Sequence, residues 1–190
     1  MDLFGTLRQG IKKYISKGDR IIAGVSGGAD SVFLLYFLSS ISMQYKLTIT
    51  CAHFNHKLRG KESSRDEAFV RRLAGSLGVS FVSSHGNVRR FAGKNNTGPE
   101  KAAREMRYAF LIKECRRLKA NKIVLAHNQD DNAETIMMRL ITGAGTDGLS
   151  GIPDTRRIKP GEFGVKSPGS ITIIRPLLSA EKKEILSFLK

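Results

Sequence analysis

The sequence contains few of the residues on which metal clusters and disulfide frameworks depend. Its two cysteines, Cys51 and Cys115, lie far apart, and no CxxC motif occurs. A zinc knuckle, an iron–sulfur site or a disulfide framework therefore lacks its ligands within this chain. We expect both cysteines to be reduced residues of the core.

Long hydrophobic runs are also missing. The longest uninterrupted apolar run, residues 32–38, is far too short to cross a bilayer. The N-terminus has neither the apolar segment nor the small-residue cleavage site of a secretory signal. The sequence therefore predicts a cytoplasmic protein that has no membrane partner.

Acidic residues are scarce relative to basic ones. Lys and Arg total 32 and Asp and Glu total 17, which gives a formal net charge of +15. Such an excess favours a polyanionic partner, above all nucleic acid, because binding releases the counterions of the phosphates. A basic, solvated surface without such a partner would carry the same charge, so charge alone leaves both alternatives open.

The residues that are present predict one folded domain. The chain has 190 residues, of which 41% are hydrophobic, which is enough for a core and too many for a disordered segment. Short apolar runs alternate with segments of helical periodicity. Strands are predicted at 20–25, 47–54, 79–83, 122–126 and 171–175, and helices at 3–15, 31–39, 65–77, 98–119, 130–142 and 180–190.

This alternation predicts an α/β fold, a doubly wound parallel sheet with helices on both faces. Apolar residues recur at helical spacing in 130–142, as on an amphipathic helix. Glycine, proline and charged residues dominate 143–169, so this stretch is predicted to be irregular and either functional or mobile.

The loop after the first predicted strand, GVSGGADS at 24–31, is the most informative stretch. Ligands of open parallel sheets bind at the carboxyl ends of the strands. The two glycines allow the backbone to approach a ligand, the serines add hydroxyl groups, and the helix that follows offers free N–H groups to an anion. The loop therefore predicts a phosphate site, with a tight turn and a capping Ser or Asp as the structural alternative.

The string SGGADS at 26–31 resembles the signature of the ATP-pyrophosphatase (PP-loop) superfamily, whose members cleave ATP to AMP and pyrophosphate. Five further stretches resemble, in order, the motifs of the tRNA(Ile)-lysidine synthetase family, at 53–63, 100–108, 127–135, 143–151 and 175–177. The resemblance extends over almost the whole chain. Members of that family ordinarily continue with a further helical region and often with a C-terminal tRNA-binding part.

The resemblance implies a Rossmann-like fold of the PP-loop ATPase type and an enzyme that adenylates C2 of the wobble cytidine in a CAU-anticodon tRNA(Ile). Free L-lysine then displaces AMP and forms lysidine, with ATP and Mg²⁺ as cofactors. Residues 1–190 are accordingly predicted to be a single nucleotide-binding catalytic domain from which the C-terminal tRNA-binding region is absent. The lysine pocket and the oligomeric state stay open.

The same resemblance assigns the phosphate loop. The β- and γ-phosphates are expected at Ser26, Gly27, Gly28 and Ser31. Asp30 is expected to act in catalysis by coordinating Mg²⁺ or by ordering the loop. An N-cap role for Asp30 is the structural alternative.

Polar residues at the end of the second predicted strand are expected at the same edge of the sheet. By resemblance, His53, Asn55, His56 and Arg59 contact the nucleotide. Two histidines three positions apart also suggest a metal, but no further ligand pair accompanies them. His53 also fits a buried polar position.

Two helices supply the remaining candidates. Arg104 and Arg107 are assigned to phosphate or cytidine contacts, although their spacing alone also fits a solvated Glu/Arg face. Asp131 lies in a predicted first helical turn, where acidic residues suit both the helix dipole and a magnesium ion, and it is the second expected metal ligand. Asn128 and Asn132 depart from the family's HHxDDQAET pattern, so neither receives a specific role.

Two other functions stay open at this point. One is another PP-loop tRNA-modifying enzyme of the thiolase type, although thiolation usually relies on paired cysteines. The other is a non-catalytic RNA-binding domain with a vestigial nucleotide pocket. Basic pairs at 89–90, 116–117 and 182–183 would suit RNA phosphates, but each also fits a solvated face.

Overall fold

A computed structural model describes residues 3–57, 61–143 and 150–190, with only the backbone described at Lys61. Arg59, predicted to contact the nucleotide, lies outside these ranges. So does most of the glycine-rich run 143–151.

The described elements follow the predicted alternation of strands and helices. In chain order they are α1 (Leu3–Gly10), β1 (Arg20–Gly24), α2 (Ala29–Tyr45), β2 (Thr48–Asn55), α3 (Lys61–Ser76), β3 (Ser80–His85), α4 (Val88–Lys94), α5 (Pro99–Arg117), β4 (Lys122–Val124), α6 (Gln129–Ile141), β5 (Thr155–Arg157), β6 (Thr172–Ile174) and α7 (Lys182–Phe188). Short 3₁₀ helices occupy Ile11–Lys13 and Glu162–Gly164.

The strands form a single sheet in the order β3-β2-β1-β4-β6-β5. All neighbouring pairs are parallel except β5 with β6. At the centre, Ile22 of β1 pairs with Thr50 on one side and with Ile123 on the other. The chain winds outward from β1 through β2 to β3 and then crosses to β4, so the winding direction reverses between β1 and β4. The predicted doubly wound α/β fold is confirmed.

Two cores lie on opposite faces of this sheet. Alternate residues of β1 point to opposite faces, because Ile21 and Ala23 belong to one core and Ile22 belongs to the other. Helices α1, α2, α3 and α7 cover the first core, and α5 covers the second. Helix α2 is buried nearly all round, with Phe33 and Leu34 fully inaccessible.

Three predictions of secondary structure were wrong. Residues 3–15 do not form one helix, since α1 ends at Gly10 and a 3₁₀ helix follows. The stretch 143–169 is not irregular throughout, because β5 lies in it and adds an antiparallel edge to the sheet. No element was predicted where α4 lies. Both missed elements are short, and their apolar content is too low for a periodicity to be visible.

Helix α6 leaves its apolar residues in solvent. Within the described ranges none of its residues is buried. The exposed fractions reach 61% for Met137, 65% for Met138, 56% for Leu140 and 83% for Ile141. Helical spacing thus predicted the helix, whereas the burial of its apolar face is not observed in this chain. Among the described helices, none is long and apolar enough to cross a membrane.

Candidate active site

A cavity opens where the winding of the sheet reverses, at the carboxyl ends of β1, β2 and β4. Its volume is about 540 Å³. Ligand sites of doubly wound sheets occupy this position because the loops after neighbouring strands diverge there. Of the predicted site residues, it brings together Ser26, Gly28, Asp30, Ser31, His53, Asn55, His56, Arg107 and Asp131. We call it the nucleotide cavity.

The phosphate loop is organised by the hydroxyl of Ser31. This oxygen accepts hydrogen bonds from the backbone N–H groups of Ser26 and Gly27, each at 3.2 Å, and donates one to the carbonyl of Gly28 at 2.8 Å. Gly27 has a φ of +100°, in the region that favours glycine. Ser31 is buried, so the loop is held in place before any ligand binds.

Asp30 lies in the first turn of α2, two residues after the N-cap residue Gly28. The N-cap interpretation of Asp30 is therefore wrong. Its Oδ1 atom is buried and has no hydrogen-bond donor in the part of the chain that the structure describes. An unpaired buried carboxylate oxygen is costly, and a cation would stabilise it.

His53 and His56 both line the nucleotide cavity, but their Nδ1 atoms differ in hydrogen bonding. His53 is buried and its Nδ1 lies 2.9 Å from the carbonyl oxygen of Val25, which only accepts, so Nδ1 carries the proton. His56 packs edge-on against Phe54 with ring centroids 4.9 Å apart, and its buried Nδ1 has no described partner. Burial, and then the charges of Arg107 and His53, lower the pKa of His56.

Asn55 lines the nucleotide cavity, but its polar atoms are already engaged. Its amide donates to the carbonyl of Ser63 at 3.0 Å and to Glu67 at 3.3 Å, and its side-chain oxygen accepts from the N–H of Lys57 at 2.9 Å. These bonds tie the end of β2 to the start of α3. A direct contact between Asn55 and the nucleotide stays a prediction.

The two predicted arginines of α5 lie at different cavities. Arg107 is half-buried and lines the nucleotide cavity, and its Nε has no partner among the described residues. Burial lowers the pKa of this guanidinium. Arg104 lies over the ring of Tyr108, 4.8 Å from its centroid, and lines an adjoining cavity instead. For Arg107 the solvated-face alternative is wrong.

The adjoining cavity, which we call the acceptor cavity, has a volume of about 600 Å³. It shares His127 and Asp131 with the nucleotide cavity. The rest of its lining is Arg104, Glu134, Thr135, Arg139, Ile152, Pro153, Arg156 and Arg175. Periodicity did not indicate this cavity, because its charged residues come from four separate segments, namely α5, α6, β5 and the residue that follows β6.

Asp131 lines both cavities and lies in the first turn of α6. Its N–H donates to the side chain of Asn128, and the N–H of Asn128 donates to its Oδ2, both at 2.9 Å. This capping box engages one carboxylate oxygen and leaves Oδ1 for a ligand. Asn132 accepts from the N–H of Ile152 at 2.7 Å, so both departures from the family pattern have structural partners.

His127 lines both cavities, and Arg175 lines the acceptor cavity beside it. Burial, and then the nearby charge of Arg175, lower the pKa of His127 to about 4, while Asp131 opposes the shift. His127 is therefore neutral at physiological pH. Arg175 is only 2% exposed and donates to the carbonyl of Pro153 at 2.6 Å. Burial lowers the pKa of Arg175 as well.

Sequence reasoning missed Asp66, which lines the nucleotide cavity from α3. Its β-carbon lies beside Gly27, so α3 packs directly on the phosphate loop. In the sequence, its place on the same helical face as Val70 was the available signal. Among the described residues, no group of three or more His, Cys, Asp or Glu side chains could hold a metal ion without other ligands.

Comparison with known sequences gives consistent matches. The family model described as "PP-loop domain" matches residues 5–190. A tRNA(Ile)-lysidine synthase of Clostridium acetobutylicum is 37% identical over 184 residues, which cover 97% of this chain and 37% of that protein. The synthase of Clostridium tetani is 41% identical over 177 residues, covering 92% and 35%. The chain thus spans little more than a third of the length of these relatives.

Solved structures support the fold. A U34-tRNA thiolase, NcsA, from Methanococcus maripaludis aligns with a TM-score of 0.71 at 22% identity, over 96% of this chain and 60% of that chain. An NH₃-dependent NAD synthetase from Campylobacter jejuni aligns with a TM-score of 0.55 at 17% identity, over 97% and 67%. At these identities the likeness concerns the fold alone.

Proposed function

Because the chain belongs to the PP-loop domain family, we propose that it is the ATP-dependent catalytic domain of an enzyme that converts the wobble cytidine of a CAU-anticodon tRNA(Ile) to lysidine. The observation that carries this proposal is the pair of adjoining cavities that share His127 and Asp131. A reaction that activates one substrate and then joins a second to it requires two connected sites. The name of the relatives, tRNA(Ile)-lysidine synthase, supports tRNA(Ile) as the substrate of this proposal.

Family membership implies ATP binding, and the phosphate loop suits the triphosphate. Gly28 caps α2 without a side-chain bond, so the first N–H groups of this helix are available to an anion. The N–H of Gly28 bonds the Ser26 hydroxyl at a long 3.3 Å, and a phosphate oxygen would replace that weak bond. The β- and γ-phosphates would therefore lie between Ser26 and the start of α2.

The residues present fit a magnesium ion. Magnesium in nucleotide sites takes one or two carboxylates and completes its shell with phosphate oxygens and water. Asp30 offers an unpartnered buried oxygen, and Asp131 has one oxygen outside its capping box. Bound there, the ion would neutralise charge on the phosphates during their transfer.

Arg107 and the histidines would serve the adenylation step. In this step the C2 carbonyl oxygen of cytidine attacks the α-phosphorus of ATP, and pyrophosphate leaves. Negative charge then grows on the phosphoryl oxygens, and a half-buried guanidinium stabilises it more strongly than an exposed one. Arg107 is the half-buried cation of the nucleotide cavity. His56, with its lowered pKa, would contact the nucleotide without adding charge.

The acceptor cavity suits free L-lysine, which carries two amino groups and one carboxylate. Glu134 offers a carboxylate to an amine of lysine, and Arg156 offers a guanidinium to its carboxylate. An amine of lysine would attack C2 of the adenylated cytidine and expel AMP. The attacking amine must lose a proton, and the Glu134 carboxylate of the same cavity would accept it.

A direct test is the transfer of radiolabelled lysine by the full-length protein to tRNA transcripts with ATP and Mg²⁺. We expect incorporation into the CAU-anticodon tRNA(Ile), together with release of AMP and pyrophosphate in equal amounts. Transcripts with a CAU anticodon in a methionine tRNA are the matched control for selectivity. No incorporation into any transcript would refute the proposed function.

The thiolase alternative has less support in this chain. Cys51 and Cys115 are buried in the two separate cores, and burial raises the pKa of each thiol to about 12. Two inert thiols on opposite faces of the sheet cannot hold a cluster together. Mass spectrometry of the modified nucleoside separates lysidine from 2-thiocytidine.

The non-catalytic alternative makes a different prediction for the site residues. A vestigial pocket would be indifferent to its side chains. Turnover of ATP to AMP that is equal in wild type, Ser26→Ala and Asp131→Ala would support that alternative. A loss in both variants would support the enzyme.

A further inference from the structure

A third cavity lies beside the nucleotide cavity and has no part in the reaction proposed above. Its volume is about 620 Å³, and Phe54 lines both cavities, so one ring forms part of the wall between them. Five large apolar side chains from β2, α4, α5 and the 3₁₀ helix Glu162–Gly164 line it, namely Phe54, Phe91, Met106, Phe110 and Phe163. We call it the aromatic cavity.

The aromatic rings of this cavity differ in whether they contact another ring of the protein. Phe54 packs against Phe110 with ring centroids 5.8 Å apart, and Phe163 stacks on Tyr108 at 4.3 Å. Phe91 is half-buried and has no aromatic neighbour within the described ranges. Phe91 therefore lines the cavity without a stacked ring of the protein against it.

Polar groups of the aromatic cavity fit the edge of a nucleobase. Glu105 and Lys113 line it, and neither forms a hydrogen bond or an ion pair with another described residue. A carboxylate accepts from an exocyclic amino group, and an ammonium donates to a ring carbonyl or ring nitrogen. Glu114, also in the lining, is already paired with Arg117 at 2.6 Å.

The charge beside the cavity is positive. Helix α4 contributes Phe91 and Asn95 to the lining. Arg90 and Lys94 precede these residues by one position and form the adjacent row of the helix. Both are exposed, and no ion pair engages them in the described structure. This row favours a polyanion over an apolar small molecule or a hydrophobic peptide.

We propose that the aromatic cavity receives an unstacked base of the RNA substrate, from a nucleotide next to the one that is modified, with its phosphates at Arg90 and Lys94. Single-stranded RNA is recognised through bases that stack on aromatic side chains while basic residues follow the backbone. The shared wall at Phe54 brings this base close to the cytidine in the nucleotide cavity. The inference rests on the proposed function, because it concerns the same RNA.

The test uses the full-length protein and CAU-anticodon tRNA(Ile) in which 2-aminopurine replaces single bases beside the wobble position. Stacking in the cavity quenches 2-aminopurine, so wild type is expected to quench one of these positions. Phe91→Ala is expected to abolish that quench and to raise the tRNA Kd on the order of 10-fold. Phe91→Leu retains apolar volume without a ring face, and we expect it to lose the quench as well.

Phe69→Ala is the matched control, since Phe69 is 41% exposed on α3 and lines none of the three cavities described above. It is expected to keep the quench and the tRNA Kd, and ATP binding by calorimetry should be equal in all variants. If Phe91→Leu retains the quench while wild-type lysine transfer is intact, the inference is wrong and the proposed function stands. If wild type transfers no lysine to the tRNA, both are wrong.

Discussion

At the residue scale, the hydroxyl of Ser31 connects the phosphate loop to α2. One buried oxygen accepts from two backbone N–H groups and donates to one carbonyl. Removing this hydroxyl would break three hydrogen bonds at once, and each contributes modestly to stability. The same bonds hold the loop in the conformation that would bind a triphosphate. The Ser31 hydroxyl should therefore contribute both to the stability of the fold and to the affinity for ATP.

We expect Ser31→Ala to lower the free energy of unfolding by about 1–2 kcal/mol and to raise the Kd for ATP by about 10-fold. Ser40→Ala is the control in the same helix, since that exposed hydroxyl bonds only the carbonyl of Phe37. Chemical denaturation and calorimetry measure the two quantities. Equal ATP affinity in both variants would show that Ser31 does not shape the loop.

At the element scale, the segment from β5 to the 3₁₀ helix Glu162–Gly164, which we call the strap, contributes Arg156 to the lining of the acceptor cavity. Phe163 anchors it by stacking on Tyr108 of α5, and takes a φ of +54° to do so. A left-handed conformation is unfavourable for an aromatic residue, so the stack must offset it. Glu162 accepts two hydrogen bonds from Arg156, at 2.7 and 2.9 Å. The strap therefore fixes the direction of Arg156.

Glu162→Gln removes the charge that holds Arg156 while preserving the shape of the side chain. We expect the KM for lysine to rise by about 3- to 10-fold, with kcat changed less than about twofold, because Arg156 would bind substrate and transition state alike. Steady-state lysine transfer at saturating ATP and tRNA measures both constants.

Glu181→Gln is the control for the loss of a negative charge. Glu181 pairs with the exposed Lys183 at 2.6 Å and lines neither the nucleotide nor the acceptor cavity. Its KM for lysine should match wild type. A fall in kcat with an unchanged KM in Glu162→Gln would place Arg156 in the chemical step instead of in lysine binding.

At the scale of the whole molecule, the formal charge of +15 acts beyond any one contact. It raises the local concentration of a polyanion and accelerates its approach. It also makes affinity depend on salt, because each phosphate that is neutralised releases a counterion. ATP, bound in a cavity by a few groups, should depend on salt much less than tRNA does.

If three to five phosphates are contacted, the Kd for tRNA should rise roughly 40- to 500-fold between 50 and 200 mM salt. Filter binding of labelled tRNA at several salt concentrations measures the slope of log Kd against log salt concentration. The double variant Arg90→Ala/Lys94→Ala should reduce this slope by about 1.8. Lys12→Ala/Lys17→Ala is the matched control, since both lysines are exposed, form no ion pair with a described residue and line none of the three cavities. A tRNA Kd that changes less than threefold over this range would contradict RNA binding through phosphates.

The elements differ in how well the sequence predicted them. The strands of the centre were predictable, because Ile21, Ile22 and Ala23 form an apolar run that only a strand buried on both faces requires. The phosphate loop was predictable for a similar reason, since its glycines and hydroxyls are adjacent in the chain. Strand β5 was not, because an edge strand of Thr and Arg residues needs no apolar pattern.

The sequence by itself determined the α/β class, the order of its elements and the phosphate loop, because periodicity and loop chemistry act over a few neighbouring residues. Only the tertiary structure decided that Arg104 and Arg107 line different cavities and that Asn55 links the end of β2 to α3. It alone brought Arg156, Arg175 and Glu134 to one acceptor cavity. Contacts between distant segments depend on how helices pack on the sheet, and local sequence does not encode that packing in any one stretch.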